Sequence, residues 1–181
     1  RFTEASLVRE LEERGIGRPS TYASIIQTII DRDYAWKQSS ALVPTFTAFA
    51  VVQLLEQHFS ELVNPEFTAR MEAQLDDISE GQLEPLPWLK RFYFGSGDPL
   101  SQNAEGVGLH GRIERGWEAI DARAVSSFAL GASEDGEPVA VRVGRYGPYV
   151  QIGEDGQRAT VPDGIAPDEL TAARAIELLA D

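Results

Sequence analysis

The stretch RGIGRPSTYASII, residues 14–26, predicts the end of one helix, a sharp turn and the start of a second helix. Gly15 is suited to end the first helix, because glycine tolerates the left-handed backbone that closes many helices. Pro19 suits the first turn of the second helix, where Ser20 or Thr21 can cap the free amides. Helix, glycine-containing turn and helix in this order form the helix-turn-helix pattern.

The second helix has two distinct faces. Its apolar residues recur every three or four positions and predict one buried stripe, made of Tyr22, Ile25, Ile26, Ile29 and Ile30. The opposite face carries only short polar side chains, namely Thr21, Ser24, Gln27 and Thr28. No charged residue lies between Arg18 and Asp31, so Arg18, the hydroxyls and the helix-terminal N–H groups predict a site for backbone phosphates. The alternative is a helix buried on two sides by neighbouring domains.

Further apolar patterns predict a compact domain over residues 1–95. Thr3 can cap the first helix, and residues 34–37 and 41–43 predict a hairpin around Gln38-Ser39-Ser40. Two helices followed by a hairpin suggest a winged helix. Thr45 is expected to cap a third helix, whose apolar stripe we interpret as core: Phe49, Val52, Leu55 and Phe59. Two more helices carry stripes that we interpret as core, with Phe67, Met71, Leu75 and Ile78 on one and Trp88, Leu89, Phe92 and Tyr93 on the other.

Residues 96–108 are rich in Gly, Ser, Pro, Asp and Asn and predict a linker to a second domain, residues 109–181. Its strongest element is the strand at residues 138–144, where valines alternate with other residues. Residues 149–152 and 158–161 predict a second hairpin. Trp117 could be a third stacking platform or a core residue, and we favour the core.

The end of the chain, residues 167–180, predicts a helix with Asp168 and Glu169 at its positive end. The residues expected to face inward are Ala172, Ala173, Ile176 and Leu179. The predicted fold class is therefore α+β, a helical winged-helix-like domain followed by a small antiparallel sheet with a C-terminal helix.

Composition restricts the possible functions. A net charge of −13 argues against a general coat for duplex DNA, because non-specific affinity comes from Lys and Arg side chains. The absence of cysteine excludes disulfides and thiolate zinc, and two histidines are too few for a metal cage. No apolar run is long enough to span a bilayer, and no signal peptide is evident. Because the sequence opens with Arg1 inside a motif, we expect a fragment of a longer protein.

Residues 1–26, RFTEASLVRELEERGIGRPSTYASII, resemble the signature of bacterial DNA topoisomerase I, the type IA family. The resemblance continues to residue 95 through three further motifs, LVPT (42–45), FTARME (67–72) and FYFG (92–95). It departs at Asp33, where a glycine is usual before the aromatic residue, and this affects only the local turn geometry.

The second domain resembles the C-terminal repeat of topoisomerase I in actinobacterial relatives, which lack zinc-ribbon cysteines. The matching segments are VRVGRYGPYV (141–150), ATVP (159–162) and PDELT (167–171). Only one complete copy is visible, so the resemblance implies a piece of a parent protein that contains part of the gate domain and one repeat.

The resemblance implies a parent enzyme that relaxes negatively supercoiled DNA by single-strand breakage, strand passage and resealing. In that family a tyrosine in a Tyr-Met-Arg-Thr-Asp-Ser type motif attacks the phosphodiester. Mg²⁺ is held by an Asp-x-Asp-x-x-Glu cluster in an N-terminal Toprim domain. Neither motif occurs in this sequence, so we expect the fragment to be inactive alone, with Mg²⁺ as a cofactor of the parent. The resemblance also implies a monomer that is cytoplasmic and nucleoid-associated, with no membrane partner.

Two groups of residues are candidate contacts for single-stranded DNA. By position, the resemblance implies Arg18, Ser20, Thr21 and Tyr22, and Ser24 lies on the same polar face. Tyr22 also begins the apolar stripe, so core packing is its alternative role. The second domain has two arginines and two tyrosines within eight residues: Arg142, Arg145, Tyr146 and Tyr149. This mixture suits single-stranded DNA, because bases stack on the rings and the guanidiniums contact the phosphate backbone. The alternative there is a tight turn with Tyr149 packed inward.

Two other functions are compatible with parts of the sequence. A non-enzymatic winged-helix protein would bind duplex DNA through a basic recognition helix, whereas this helix is neutral after Arg18. A protein-interaction module would fit the acidic charge and would show no affinity for DNA.

Overall fold

The computed structural model describes residues 1–96 and 106–180. The chain forms two compact units, one of Arg1–Glu4, Ser24–Leu54 and Asp121–Asp181, the other of Ala5–Ala23 and Leu55–Ile120. The predicted linker, 96–108, lies mostly on residues 97–105, outside the described residues. Each unit combines residues from both predicted domains, 1–95 and 109–181, and the division at the linker stays a prediction.

Residues 1–96 form one small sheet and a series of helices. The elements are β1 (Phe2–Thr3), α1 (Glu4–Glu13), α2 (Tyr22–Asp31), β2 (Ala35–Gln38), β3 (Ala41–Pro44), α3 (Phe46–His58), α4 (Pro65–Ser79) and α5 (Pro85–Phe94). The sheet is antiparallel in the order β1-β3-β2. The predicted hairpin is therefore confirmed as β2 and β3. Strand β1 was not predicted, because two residues are too few to show an alternating pattern.

Helix α1 ends as the sequence predicts. The N–H of Ile16 donates to Leu11 O at 2.9 Å and the N–H of Gly15 donates to Glu12 O at 3.0 Å. This pair of bonds is the Schellman motif, which requires a left-handed residue after the helix, and Gly15 supplies it with φ +70°.

Helix α2 ends in the same way with a different residue. The N–H of Tyr34 donates to Ile29 O at 2.8 Å and the N–H of Asp33 donates to Ile30 O at 3.0 Å. Asp33 takes the left-handed position with φ +55°, so the departure from glycine preserves the turn geometry. The start of α2 differs from the prediction, since the helix begins at Tyr22 and Pro19 precedes it.

The faces of α2 mostly follow the predicted pattern. Tyr22 and Ile26 are buried, Ile29 and Ile30 are half-buried, and the polar residues Ser24, Gln27 and Thr28 are exposed. Ile25 is the exception, because 48% of it is exposed.

Helices α3 to α5 are capped and packed largely as expected. Thr45 caps α3, because its Oγ1 accepts the N–H of Ala48 at 3.0 Å. Phe67 of α4 and Trp88 of α5 are buried, and the Trp88 ring stacks on Phe92 with centroids 5.6 Å apart. The prediction of core packing was wrong for five residues that are exposed: Phe49, Val52, Leu75, Leu89 and Tyr93.

Residues 106–180 form a second antiparallel sheet and three helices. The elements are α6 (Leu109–Trp117), α7 (Ala122–Val125), β4 (Ser127–Ala132), β5 (Pro138–Gly144), β6 (Gly147–Ile152), β7 (Arg158–Thr160) and α8 (Ala172–Ala180). The strands pair in the order β4-β5-β6-β7. Mixed helices and antiparallel sheets confirm the α+β class.

Helix α8 is shorter than predicted. It begins at Ala172, because Thr171 caps it by accepting the N–H of Arg174 at 3.3 Å. Asp168 therefore precedes the helix instead of lying in its first turn. Its inward face also differs, since Ala175 is fully buried and Ala173 is exposed.

The core of the second sheet includes a residue from α3. Its buried members are Phe46, Val139, Val141, Val150, Val161, Leu170 and Ala175. Phe49, one turn along α3, meets Phe128 edge to face with centroids 6.2 Å apart. Gln53 continues the contact by donating to Ala124 O at 3.1 Å. One face of α3 therefore completes the core of this sheet.

Asp168 also contacts the beginning of the chain. Its carboxylate accepts a bond from Arg1 at 2.9 Å, and Glu169 accepts another at the same distance. These two carboxylates raise the pKa of Arg1, with Glu169 the larger cause. Among the described residues, no helix combines the length and apolarity needed to cross a bilayer.

Candidate nucleic-acid interface

Arg18, the first candidate phosphate contact, is engaged by other parts of the protein. Its Nη2 donates to Asp76 Oδ2 at 2.7 Å, and its Nη1 donates to the carbonyls of Gly17 at 2.6 Å and Gly15 at 3.2 Å. The hydrogen bond to Asp76 is the main cause that raises the pKa of Arg18. Asp76 lies 58 residues further along the chain than Arg18. A phosphate at Arg18 would have to replace Asp76.

The amides around this turn also have partners. The N–H of Gly17 donates to Glu72 Oε1 at 3.1 Å, and the N–H of Arg18 donates to Thr21 Oγ1 at 3.0 Å. The Oγ1 of Thr21 therefore closes the turn directly before α2. Two carboxylates of α4, Glu72 and Asp76, occupy the positions around the turn that the sequence suggested for an anion.

Tyr22 is a core residue in this structure. Only 7% of it is exposed, and its ring lies against the backbone of Gly17. A Cβ atom on Gly17 would stand 2.7 Å from Tyr22 Cε1, and Gly17 has φ +74°. Glycine is therefore required at this position by both space and backbone conformation. Ser20 and Ser24 are exposed, so their hydroxyls face outward beside the turn.

The second group of candidates lies on and around the second sheet. Register pairs Arg142 of β5 with Tyr149 of β6, and Tyr149 with Thr160 of β7. Because side chains alternate along strands, these residues lie on the face opposite the buried valines. The Tyr149 ring is half-buried and packs beside Gly144, where an added Cβ would stand 3.0 Å from Tyr149 Cε1.

Arg158 joins this group, and the sequence alone did not identify it. Its guanidinium carbon lies 5.9 Å from the centre of the Tyr149 ring, within the range of a cation–π interaction. The alternation of Arg158, Ala159 and Thr160 was the only available signal, and three residues carry little information.

Tyr146 is the most exposed of the large apolar and aromatic side chains that the structure describes as exposed. Tyr146 lies with Arg145 at the tip of the β5–β6 hairpin, and 93% of the tyrosine is exposed. The Arg145 guanidinium carbon lies 5.8 Å from the centre of its ring. A groove of about 410 Å³ runs from this tip to Tyr149 and Arg158. Two rings and two cations therefore border one open groove.

Arg142 contributes less to that groove. It is half-buried, and its Nε is buried without a hydrogen-bond partner. On β5 it pairs in register with Tyr149, and it is not among the residues that line the groove.

The described residues offer no metal site. Within residues 1–96 and 106–180, no group of three or more His, Asp or Glu side chains converges on one point.

Comparisons with known proteins identify the family of this chain. The family model described as DNA topoisomerase matches residues 1–90, and the model described as topoisomerase C-terminal repeat matches residues 132–181. DNA topoisomerase 1 of Streptomyces coelicolor is 55% identical over 193 residues, which cover 99% of this chain and 20% of that protein. The chain belongs to the bacterial DNA topoisomerase I family.

Other topoisomerases give the same result. DNA topoisomerase 1 of Mycobacterium tuberculosis is 52% identical over 188 residues, 99% of this chain and 20% of that protein. The full-length topoisomerase I structure from Thermotoga maritima superposes with a TM-score of 0.58 at 29% identity, covering 92% of this chain and 26% of that one. The chain thus spans about one fifth of the length of the curated relatives that it matches.

Proposed function

We propose that this chain is the part of a type IA DNA topoisomerase that holds single-stranded DNA and has no catalytic residues of its own. The parent would relax negatively supercoiled DNA in the cytoplasm, at the nucleoid, as a monomer. Family membership supports the parent activity. The order β1-α1-α2-β2-β3 supports a winged-helix-like gate segment, and we propose the repeat at residues 109–181 as the second DNA-binding module.

One observation carries the single-strand assignment, the exposed ring of Tyr146 above an open groove. In duplex DNA both faces of every base are stacked, so an exposed ring gains little there. In a single strand a base can stack on Tyr146 while Arg145 and Arg158 lie close enough to meet the backbone. The chain is too acidic to attract DNA over long distances, so this local contact has to supply much of the affinity.

At the turn before α2, a DNA phosphate would have to compete with the Asp76 carboxylate for Arg18. Ser20 and Ser24 present hydroxyls, and Arg18 presents a guanidinium that Asp76 already holds. A phosphate from the strand would exchange with that carboxylate. Tyr22, buried against Gly17, would support the turn and would not touch a base.

Catalysis belongs, in this proposal, to parts of the parent outside this chain. Mg²⁺ would assist phosphodiester chemistry there, and the residues described here would bind and orient the strand. With supercoiled plasmid and Mg²⁺, the 181-residue chain should give no relaxation. Relaxation, or a covalent DNA adduct on any tyrosine of the chain, would contradict this assignment.

The direct test compares Tyr146→Ala with Tyr146→Phe in the whole chain. The alanine variant should bind a fluorescent single-stranded oligonucleotide about tenfold more weakly, since stacking contributes roughly 1–3 kcal/mol per base. The phenylalanine variant keeps the ring and should bind almost as well as the original. Equal affinities for all three proteins, with matching circular dichroism, would remove Tyr146 from the interface.

A further inference from the structure

A second groove continues from the one beside Tyr146, and the proposed DNA contacts do not use it. Its volume is about 560 Å³, and both grooves have Gly147 and Pro148 in their walls. We call it the Trp36 groove, after the ring in its wall. Its apolar lining includes one residue of strand β2 and three of the second sheet domain: Trp36, Pro148, Pro162 and Ile165. These residues and Tyr146 belong to the same compact unit.

Trp36 lies on an edge strand at the border between core and solvent. Strand β2 is outermost in the order β1-β3-β2, and Trp36 pairs in register with the fully buried Val43. Trp36 itself is only half-buried. Its indole N–H has no acceptor among the described residues, whereas the N–H of the buried Trp88 donates to Gln74 at 2.5 Å. Part of the Trp36 ring and its N–H are therefore available to a ligand.

The charges that line the two grooves are opposite. Arg145 and Arg158 line the groove beside Tyr146, and among the described residues no carboxylate does. The Trp36 groove is lined by two carboxylates, Asp33 and Asp163, and by no lysine or arginine that the structure describes. The exposed Arg32 beside Asp33 offsets only part of this negative charge. A phosphate is therefore disfavoured inside the Trp36 groove, whereas an uncharged base is not.

We propose that the Trp36 groove is a base-binding subsite, in which one base of the strand held at Tyr146 stacks on the Trp36 ring while its phosphates stay outside. This rests on the proposed function, because it extends the path of the same strand. The volume lies within the range of roughly 300–1,000 Å³ that is typical of small-ligand pockets, which combine apolar walls with a few polar groups. The shared residues Gly147 and Pro148 give the strand a continuous path between the two grooves.

The polar groups of the groove complement the edge of a base. The Trp36 N–H can donate to a base carbonyl, and the carboxylates of Asp33 and Asp163 can accept from base N–H and amino groups. The faces of the base are apolar and match the ring and the prolines. The same groove would thus bind a base and repel the backbone that carries it.

Tryptophan fluorescence gives a direct test, because a base that stacks on an indole quenches its emission. The chain contains three tryptophans, and Trp88 is buried. The sequence favoured a core position for Trp117, and this was wrong, because 76% of it is exposed. Trp117→Phe therefore removes the most exposed indole and leaves Trp36 as the accessible one.

The Trp117→Phe chain would be titrated with an oligothymidylate long enough to span both grooves. We expect the bound strand to quench the emission of Trp36. The double variant that also carries Trp36→Phe should show no such quenching, because only the buried Trp88 remains.

Affinity supplies a second measurement in the otherwise original chain. Trp36→Ala should weaken binding of the oligothymidylate about tenfold, the effect of losing one stacked base. The slope of affinity against salt should stay the same, because no phosphate contact is lost. Trp36→Phe keeps a ring and should lose less. Trp36→Leu keeps an apolar side chain for packing and should bind as weakly as the alanine variant, with circular dichroism as the check on folding.

Two results would overturn the proposal. One is binding that leaves Trp36 unquenched and that Trp36→Leu does not weaken, and the carboxylates would then favour a cationic protein segment as the occupant. The other is a flatter salt dependence in Trp36→Ala, since the groove would then hold a phosphate instead of a base.

The Trp36 and Tyr146 tests can fail separately. Weaker binding of Tyr146→Ala with an unquenched Trp36 would remove the subsite and leave the proposed function. Quenching of Trp36 with equal affinities for all Tyr146 variants would remove Tyr146 and leave the subsite.

Discussion

The turn at Arg18 and the hairpin tip at Tyr146 contain similar residue types and differ in what remains available to a ligand. At the turn, the guanidinium donates to Asp76 and to two backbone carbonyls, and Tyr22 is buried. At the tip, the ring of Tyr146 is exposed and an open groove adjoins it. The same two residue types thus stabilise a turn in one region and are exposed to solvent in the other.

The difference arises from the neighbouring elements. Helix α4 places Glu72 and Asp76 one helical turn apart, and both reach the Arg18 turn. At the hairpin tip, Arg145 and Tyr146 extend past the last paired residues, Gly144 and Gly147. Residue type alone therefore does not identify a binding residue. A side chain can bind a ligand only where its surface is exposed and its hydrogen-bonding groups are available.

The largest expected effect tests whether the Arg18 turn is structural. Gly17→Ala should lower the free energy of unfolding by about 3 kcal/mol, because a left-handed non-glycine residue costs roughly 1–2 kcal/mol and the clash with Tyr22 adds to it. Urea unfolding followed by circular dichroism measures the change.

Gly136→Ala is the matched control for this variant. Gly136 also has a positive φ, +82°, but nothing lies within 4 Å of its added Cβ, so only the backbone cost of about 1 kcal/mol applies. Equal losses in the two variants would show that the Tyr22 ring does not restrict the space at Gly17.

A smaller effect is expected at the groove. Arg158→Ala should weaken single-strand binding roughly three- to fivefold, through lost backbone contact and loss of the cation beside Tyr149. Arg158→Lys keeps the charge without the planar group and should lose less. Titration at two salt concentrations separates the lost phosphate contact from the lost cation beside Tyr149. Loss of one phosphate contact flattens the salt dependence of binding by about one charge. An Arg158→Ala variant that binds like the original would exclude this residue from the interface.

The smallest effect concerns the competition at Arg18. Asp76→Asn removes the competing charge at nearly constant shape and should strengthen single-strand binding roughly twofold, as expected for an exposed ion pair. The gain should disappear in the double variant with Arg18→Ala, which forms a double-mutant cycle for oligonucleotide affinity. A gain that persists in the double variant would mean that Asp76 acts on DNA directly and not through Arg18.

Local patterns in the sequence predicted the elements with strong periodicity. The stripe from Tyr22 to Ile30 and the valines of β5 identified their buried faces, and Thr45 identified a helix start. Helix α6 was missed because it contains Gly111 and Gly116, which lower helix propensity, and lies next to the glycine-rich linker.

The candidate site was less predictable because its contacts are distant in sequence. Nothing near Arg18 indicates that Asp76 binds it, and nothing near Tyr149 indicates that Arg158 lies beside the ring. The start of α8 was misplaced because Asp168 and Glu169 resemble a helix first turn, while in the fold they bind Arg1. Tertiary partners override local preference in each case.

Phe46 has a consequence for how such a repeat can be inherited. The segment recognised as the C-terminal repeat, residues 132–181, lacks this ring, although the ring lies among its buried valines. A gene duplication that copied only that segment would produce a domain with a ring-sized hole, a defect that costs roughly 3–5 kcal/mol in protein cores. A viable extra copy would need its own aromatic residue, or a helix equivalent to α3 copied with it.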